Sequence, residues 1–379
     1  MGPLRGIRVL EVAGIGPGPF CAMVLADLGA DVIRIDRLGD TGRDPASARF
    51  DVLARGRRSI AVDLKSPGGA ALMLRLVEQA DALLEGFRPG VAERLGIGPV
   101  PCLELNPRLV YGRMTGWGQD GPLADAAGHD LTYAAVAGAL AHIGRAGQPP
   151  TPPLNLVADF GGGGMLLAVG LLAGLLHAKA TGEGQVVDAA MVDGTALLMA
   201  PFYGASAMGF WSDERGTNLL DSGAPYYDVY RCADGLELGV AAIEPQFFSA
   251  LLEVLELDPV GLPGQDDRDR WAELRQAIGT MVASRPRAEW LARAEGTDAC
   301  LAPVLTMREA AQHPHVRARG TVTERDGVPQ PAPAPRFSAT PPALDRGPCV
   351  PGQHTDEVLA EHGFDRAAID DLRRRGTVA

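Results

Sequence analysis

Residues 7–36 read as strand, loop, helix, strand, and that order limits the possible folds more than any other feature of the chain. Residues 7–12 form a short apolar run, G-I-G-P-G-P at 14–19 is a loop, 20–28 is apolar and of helical length, and 31–35 (D-V-I-R-I) is a second strand. The alternation continues. A strand is expected at 59–64, and a helix at 69–80 from the spacing of Leu72, Leu74, Leu76 and Val77. Further strands follow at 82–84, 109–114 and 185–190. Strands joined by helices cannot pair as hairpins; they pair in parallel and bury both faces. The expectation is an α/β fold with a Rossmann-like large domain over residues 1–200.

The pattern then changes. Residues 226–232 and 237–242 flank A-D-G, a hairpin signal. Helices are expected at 245–255, 268–284 and 287–294, making a smaller α+β domain at 222–328. Residues 320–352 are proline-rich, with P-Q-P-A-P-A-P at 329–335, and read as an extended connector within a final segment, 329–379, that ends in a helix at 355–375. M-L-L-A-V-G-L-L-A-G-L-L at 165–176 is too short to span a bilayer and reads as a buried helix.

Charge narrows the partners. The chain of 379 residues has a net charge of -12, which argues against nucleic acid and anionic membranes. The excess is uneven: residues 1–120 carry 15 basic and 14 acidic side chains, whereas the other 259 carry 20 and 33. A local cationic site is therefore expected in the N-terminal third. Five dispersed cysteines without a C-x-x-C support neither a disulfide framework nor a zinc knuckle. A cytoplasmic protein without a membrane span is expected.

The loop at 14–19 invites a dinucleotide reading, but position 19 is Pro where G-x-G-x-x-G needs its third glycine. Pro17 and Pro19 also have no N–H for a pyrophosphate. Arg37, Arg55, Arg57, Arg58, Lys65, Arg88 and Arg94 lie at expected strand ends. They are either phosphate ligands or scattered surface charge. His129 lies in A-A-G-H-D-L-T-Y, and Asp159 precedes four residues, F-G-G-G, and a fourth glycine. Asp159 is either a helix cap or an acid–base group whose glycine neighbours let a ligand close to the backbone and leave N–H donors free. Glu244, before Pro245, reads as a cap or a functional acid. His313 and His315 flank a proline and read as a loop; no metal site is expected. No G-x-S-x-G, P-loop or H-E-x-x-H occurs.

The ordered motifs carry a resemblance. L-R-G-I-R-V-L-E-V (4–12), L-A-D-L-G-A-D-V-I-R-I-D (25–36), E-G-F-R-P-G-V (85–91), M-T-G-W-G-Q-D-G-P (114–122), G-H-D-L-T-Y (128–133), D-F-G-G-G (159–163), D-A-A-M-V-D-G (188–194), G-A-P-Y-Y-D-V-Y (223–230) and I-E-P-Q-F (243–247) resemble the family III CoA-transferases. G-H-D together with I-E-P-Q-F is similar to the branch that racemises α-methylacyl-CoA thioesters. That resemblance implies an interlaced homodimer whose C-terminal segment returns to the large domain. It implies an acyl-CoA substrate with no other cofactor. It also implies His129 and Asp159 as the two bases, with Glu244 orienting His129 and the backbone N–H groups of 159–161 receiving the enolate. CoA would be held by Arg37, Lys65, Arg88 and Arg94, with the backbone of Val62, Asp63, Leu64, Gly86 and Phe87. Gly128, Asp130, Leu131, Thr132 and Tyr133 would line the thioester. The acyl chain needs only an apolar surface, which Met191, Met199 and Met208 could supply because Met adapts to varied shapes, although core packing is the expected role of each taken singly. The alternatives are a transferase with Asp159 as nucleophile and an acyl-CoA-binding paralogue without turnover.

Overall fold

The structure is a computed structural model and describes residues 2–42 and 44–379. The chain forms two compact units. The first comprises Met1–Ala137, Leu154–Leu198 and Arg317–Ala379; the second comprises Gly138–Pro153 and Met199–Val316.

The first unit is built on a six-stranded parallel sheet of β1 (Arg8–Val12), β2 (Asp31–Asp36), β3 (Arg57–Ala61), β4 (Ala82–Glu85), β5 (Val110–Thr115) and β6 (Gln185–Ala190). Its order is β3-β2-β1-β4-β5-β6. β1 is central: Leu10 pairs in register with Ile33 of β2 on one side and Leu83 of β4 on the other. The chain winds outward to β3, then returns to start the other half at β4. The loops leaving β1 and β4 therefore diverge at the carboxyl ends of the strands, the place where such sheets take ligands. One core packs Leu10, Ile33, Ile60 and Leu83 against Leu72, Met73 and Leu76 of the Pro67–Val77 helix and against Val358, Leu359 and Ile369 of the tail. The tail is joined to the β3 edge by His354 N–H to the Ser59 carbonyl (2.8 Å) and by a bridge between Val62 and Val378.

β3 spans R-R-S-I-A rather than the expected 59–64. Its arginines do not keep it out of the interior because each is neutralised there. Arg57 donates Nε to Glu11 at 2.9 Å, both side chains fully buried, and Arg58 pairs with Asp31, Glu357 and Glu361. Arg55, just before the strand, donates Nε to Asp27 at 3.0 Å.

The apolar helix also differs from expectation. It starts at Leu156 with a π-helical segment, Leu156–Met165, and continues as an α-helix over Leu166–Thr181. By length and composition alone these 26 residues would cross a membrane. Leu167, Ala168, Leu171, Gly174 and Ala178 are buried on one side, while Met165, Val169 and Leu176 are exposed. It is a core helix with one uncovered apolar face, not a wholly buried one. The proline-rich stretch is not uniformly extended either. It contains a hairpin of β10 (Val322–Arg325) and β11 (Val328–Pro331), turned by Asp326 and Gly327, both at positive φ. D-G between strand-forming residues is the signal for that turn.

The second unit has a three-stranded antiparallel sheet of β7 (Tyr227–Arg231), β8 (Glu237–Ala241) and β9 (Leu301–Pro303). Leu238 and Val240 pack on Leu251, Leu274, Ile278 and Trp290 from the helices Pro245–Val254, Trp271–Val282 and Arg287–Ala294. His315 lies in a short helix, Pro314–Arg319, rather than a loop. Among the described residues no group of three or more His, Cys, Asp or Glu side chains is placed to hold a metal.

Candidate active site

Gly16 ends the loop after β1 and starts the Pro17–Asp27 helix. Its φ of 69° suits glycine, and a Cβ there would lie 3.2 Å from Asp159 Oδ2. The G-I-G-P-G-P turn thus brings bare backbone against a carboxylate. Asp159 is four residues into the helix that starts at Leu156, so it is not the N-cap. Asn155 donates Nδ2 to Asp159 Oδ2 at 3.3 Å. Asn155 was not singled out in the sequence, although N-x-x-x-D places both side chains on one helical face.

His129 immediately precedes the Asp130–Val136 helix. Its N–H donates to Thr132 Oγ1 at 3.0 Å, and its carbonyl accepts from Thr132 N–H at 2.8 Å. The side chain is exposed. The next residue, Asp130, accepts from Asp159 N–H at 2.7 Å, so the structure sets side by side two segments that lie about 30 positions apart in the sequence. The carboxyl of Asp159 is raised above its ordinary range, chiefly by burial and further by the Asp130 charge. The Asn155 hydrogen bond and His129 oppose this. Tyr133 is near as well: its phenol is raised by burial and by the Asp159 charge, with Arg88 opposing. Tyr133 stacks edge-on against Trp117 at 4.8 Å. A Cβ on either Gly116 or Gly128 would fall within 2.5 Å of its ring. The glycines of T-G-W-G and A-G-H-D therefore make room for this tyrosine.

Several expectations need correction. The N–H of Asp159 is not free for an enolate: it donates to Asp130 Oδ1 at 2.7 Å, and Phe160 N–H donates to the Asn155 carbonyl at 3.3 Å. The Asp130 side chain is buried and turned to this backbone. Gly162–Gly164 do not admit a ligand. A Cβ on Gly162 would lie 2.6 Å from Thr195 N, and one on Gly164 would lie 2.8 Å from Phe20 and from the Pro17 carbonyl. They let three helices meet at backbone distance. Met191 is buried and faces Gly163, so it packs the core, as expected of each methionine taken singly; Met208 is exposed in the second unit. Of the backbone groups expected at CoA, Val62 N–H donates to the Asp36 carbonyl and Asp63 N–H to the Thr377 carbonyl, both at 2.9 Å.

The arginines divide into two sets. Arg55 and Arg57 are consumed by the buried carboxylates of Asp27 and Glu11, and buried Arg58 by the more exposed Asp31, Glu357 and Glu361. Arg37, Lys65, Arg88 and Arg94 are all exposed, and their side chains make no ion pair among the described residues. Arg37 lines a cavity of about 400 Å³ with Gly14, Ile15, Gly16 and Arg34 at the carboxyl ends of β1 and β2. Arg88 and Arg94 leave β4 in a segment held by buried Glu85. Glu85 Oε2 accepts from Phe87 N–H at 2.6 Å, and Arg113 of β5 lies between Glu85 (3.3 Å) and Glu93 (2.9 Å).

The family's sequence profile, CoA-transferase family III, matches residues 4–355. The chain belongs to CoA-transferase family III. A mouse protein named alpha-methylacyl-CoA racemase is 47% identical over 372 residues, covering 97% of this chain and 96% of that protein. Its human counterpart is 46% identical over 374 residues, covering 97% and 96%. A solved structure of a CAIB/BAIF family protein from Brucella suis superposes with a TM-score of 0.82 at 26% identity, covering 95% of this chain and 99% of that one. In this family III chain Glu244 lies at the start of the Pro245–Val254 helix of the second unit, where its charge acts on Cys300. Its assignment to His129 rests on the resemblance.

Proposed function

We propose that the chain is an α-methylacyl-CoA racemase. It inverts the carbon next to the thioester carbonyl of a 2-methyl-branched acyl-CoA by removing the α-proton on one face and returning one on the other. The observation that carries the mechanism is the hydrogen bond from Asp159 N–H to Asp130, the residue after His129, at 2.7 Å, which sets the His129 segment beside a half-buried Asp159; burial also raises the proton affinity of that carboxyl. Inversion needs one group ready to accept and one ready to donate. An imidazole and a carboxylic acid that share one proton meet this need in both directions: neutral His129 with protonated Asp159, or imidazolium with carboxylate. Burial and the Asp130 charge favour the proton on Asp159 in the first of these states.

Arg37, Lys65, Arg88 and Arg94 are assigned to the CoA phosphates, supported by their exposure and by the lack of an ion pair to any of them among the described residues. Glu244 is assigned to orienting His129. The thioester itself acidifies the α-carbon, so no metal or organic cofactor is needed, and activity should survive exhaustive dialysis against EDTA. The working form is a homodimer with interlaced chains, supported by the uncovered apolar face of Leu156–Thr181. The compartment is the cytoplasm, supported by five unpaired cysteines.

The test is proton exchange. With each enantiomer of a 2-methylacyl-CoA in D2O, NMR should show α-deuterium entering with inversion. His129→Ala and Asp159→Ala should each abolish inversion while leaving CoA binding intact. A CoA adduct trapped on Asp159, with inversion intact in His129→Ala, would establish a transferase instead.

A further inference from the structure

Asp130 is 6% exposed, and its Oδ1 accepts two backbone hydrogen bonds, from Ala158 N–H at 2.8 Å and Asp159 N–H at 2.7 Å. Both donors lie near the start of the Leu156–Met165 π-helical segment. The first N–H groups of any helix have no partner within it, and here one carboxylate oxygen from a distant part of the chain serves two of them. A buried carboxylate that accepts two N–H bonds fixes its donors more tightly than a neutral cap would. The same residue is joined by a peptide bond to His129. Asp130 is thus the covalent neighbour of one base and the hydrogen-bonded anchor of the other.

We propose that Asp130 is the positioning residue that holds His129 and Asp159 in register on the two faces of the substrate. This inference rests on the reading of those two residues as the bases. Asp130 acts on both bases through the backbone: its Oδ1 is spent on two N–H groups, and its Oδ2 is buried with no hydrogen-bond partner among the described residues. Its charge has a second effect. The groups that act on the Asp159 carboxyl are Asn155 on its own helix, and Asp130 and His129 on the facing segment, while Tyr133 one turn on is acted on by Asp159 in turn. Of these only Asp130 combines with burial to keep the proton on Asp159.

Two variants separate the effects in the full-length enzyme. Asp130→Asn keeps an oxygen acceptor of the same size and removes the charge; Asp130→Ala removes both. Rates of α-deuterium incorporation would be followed for each enantiomer across pH, with CoA affinity measured by titration and folding by circular dichroism. Asp130→Ala should lower kcat about 100-fold, the loss typical of a catalytic group displaced by an ångström, with KM and CoA affinity changed by less than about threefold. Asp130→Asn should recover about tenfold of that loss. Its limb for Asp159 should move to lower pH, because the like charge is gone. If Asp130→Ala does not fold, the pH profile of Asp130→Asn decides. Asn and Ala variants with wild-type kcat and an unmoved profile, or a change confined to KM, would overturn the proposal. Failure of the underlying reading looks different: Asp159→Ala would then still invert both enantiomers.

Discussion

At the scale of single residues, the buried carboxylates of the first unit are sorted by partner. Glu11 and Asp27 are matched to Arg57 and Arg55, and removing either arginine would strand a buried charge. Glu85, beside Arg113, is pushed up to about 7, mainly by burial, with the Glu93 charge adding and the Phe87 N–H and Arg113 opposing. Its ordinary value is 4.5. Between those limits the folded protein keeps a proton that the unfolded chain has released. The contribution of Glu85 is therefore full below about pH 4.5, falls as pH rises to about 7, and is flat above it. Over that window the wild type should lose about 3 kcal/mol relative to Glu85→Gln. Urea unfolding of both proteins at pH 5 and pH 8 measures this. A stability gap that does not change with pH would mean that Glu85 stays ionised throughout.

At the scale of elements, the decisive contact is between the π-helical segment and the Met191–Leu198 helix. A Cβ on Gly194 would lie 1.8 Å from the Gly162 carbonyl oxygen, and neither backbone has anywhere to move without displacing the turn that carries Asp159. Gly194→Ala should therefore cost about 3 kcal/mol and lower kcat as well. Gly204, whose Cβ would meet nothing within 4 Å, is the control: Gly204→Ala in its exposed helix should be neutral or stabilising by up to about 1 kcal/mol. Thermal unfolding of the two variants distinguishes close packing from a general intolerance of alanine.

At the scale of the whole molecule, Met165, Val169 and Leu176 leave an uncovered apolar face on one helix, and Leu197 and Leu198 at the end of the Met191–Leu198 helix are exposed as well. Soluble chains rarely leave such a stripe in water. Sedimentation at micromolar concentration should give twice the 39.7 kDa chain mass, and the unfolding midpoint should rise with protein concentration. Val169→Glu with Leu176→Glu should shift the protein toward monomer. A monodisperse, active wild-type monomer would rule out the homodimer.

The alternation of short apolar runs with helical spacing was enough to foresee a parallel sheet, because strands buried on both faces write their burial directly into consecutive residues, as in β4 and β5. The motif residues His129 and Asp159 were visible for the same local reason: each stands out against its own neighbours. What local pattern could not carry was the use of each group. Nothing in R-G-R-R distinguishes these arginines from ones left in water, since their burial depends on carboxylates 27 to 303 positions away. D-F-G-G-G reads equally well as a ligand cradle or as a packing seam. Only the arrival of Thr195 and Phe20 against those glycines decides it. Asp130 shows the division most plainly: its identity is local, but its role is set by two N–H groups 28 and 29 residues on, brought to it by the crossing of helices rather than by any spacing along the chain.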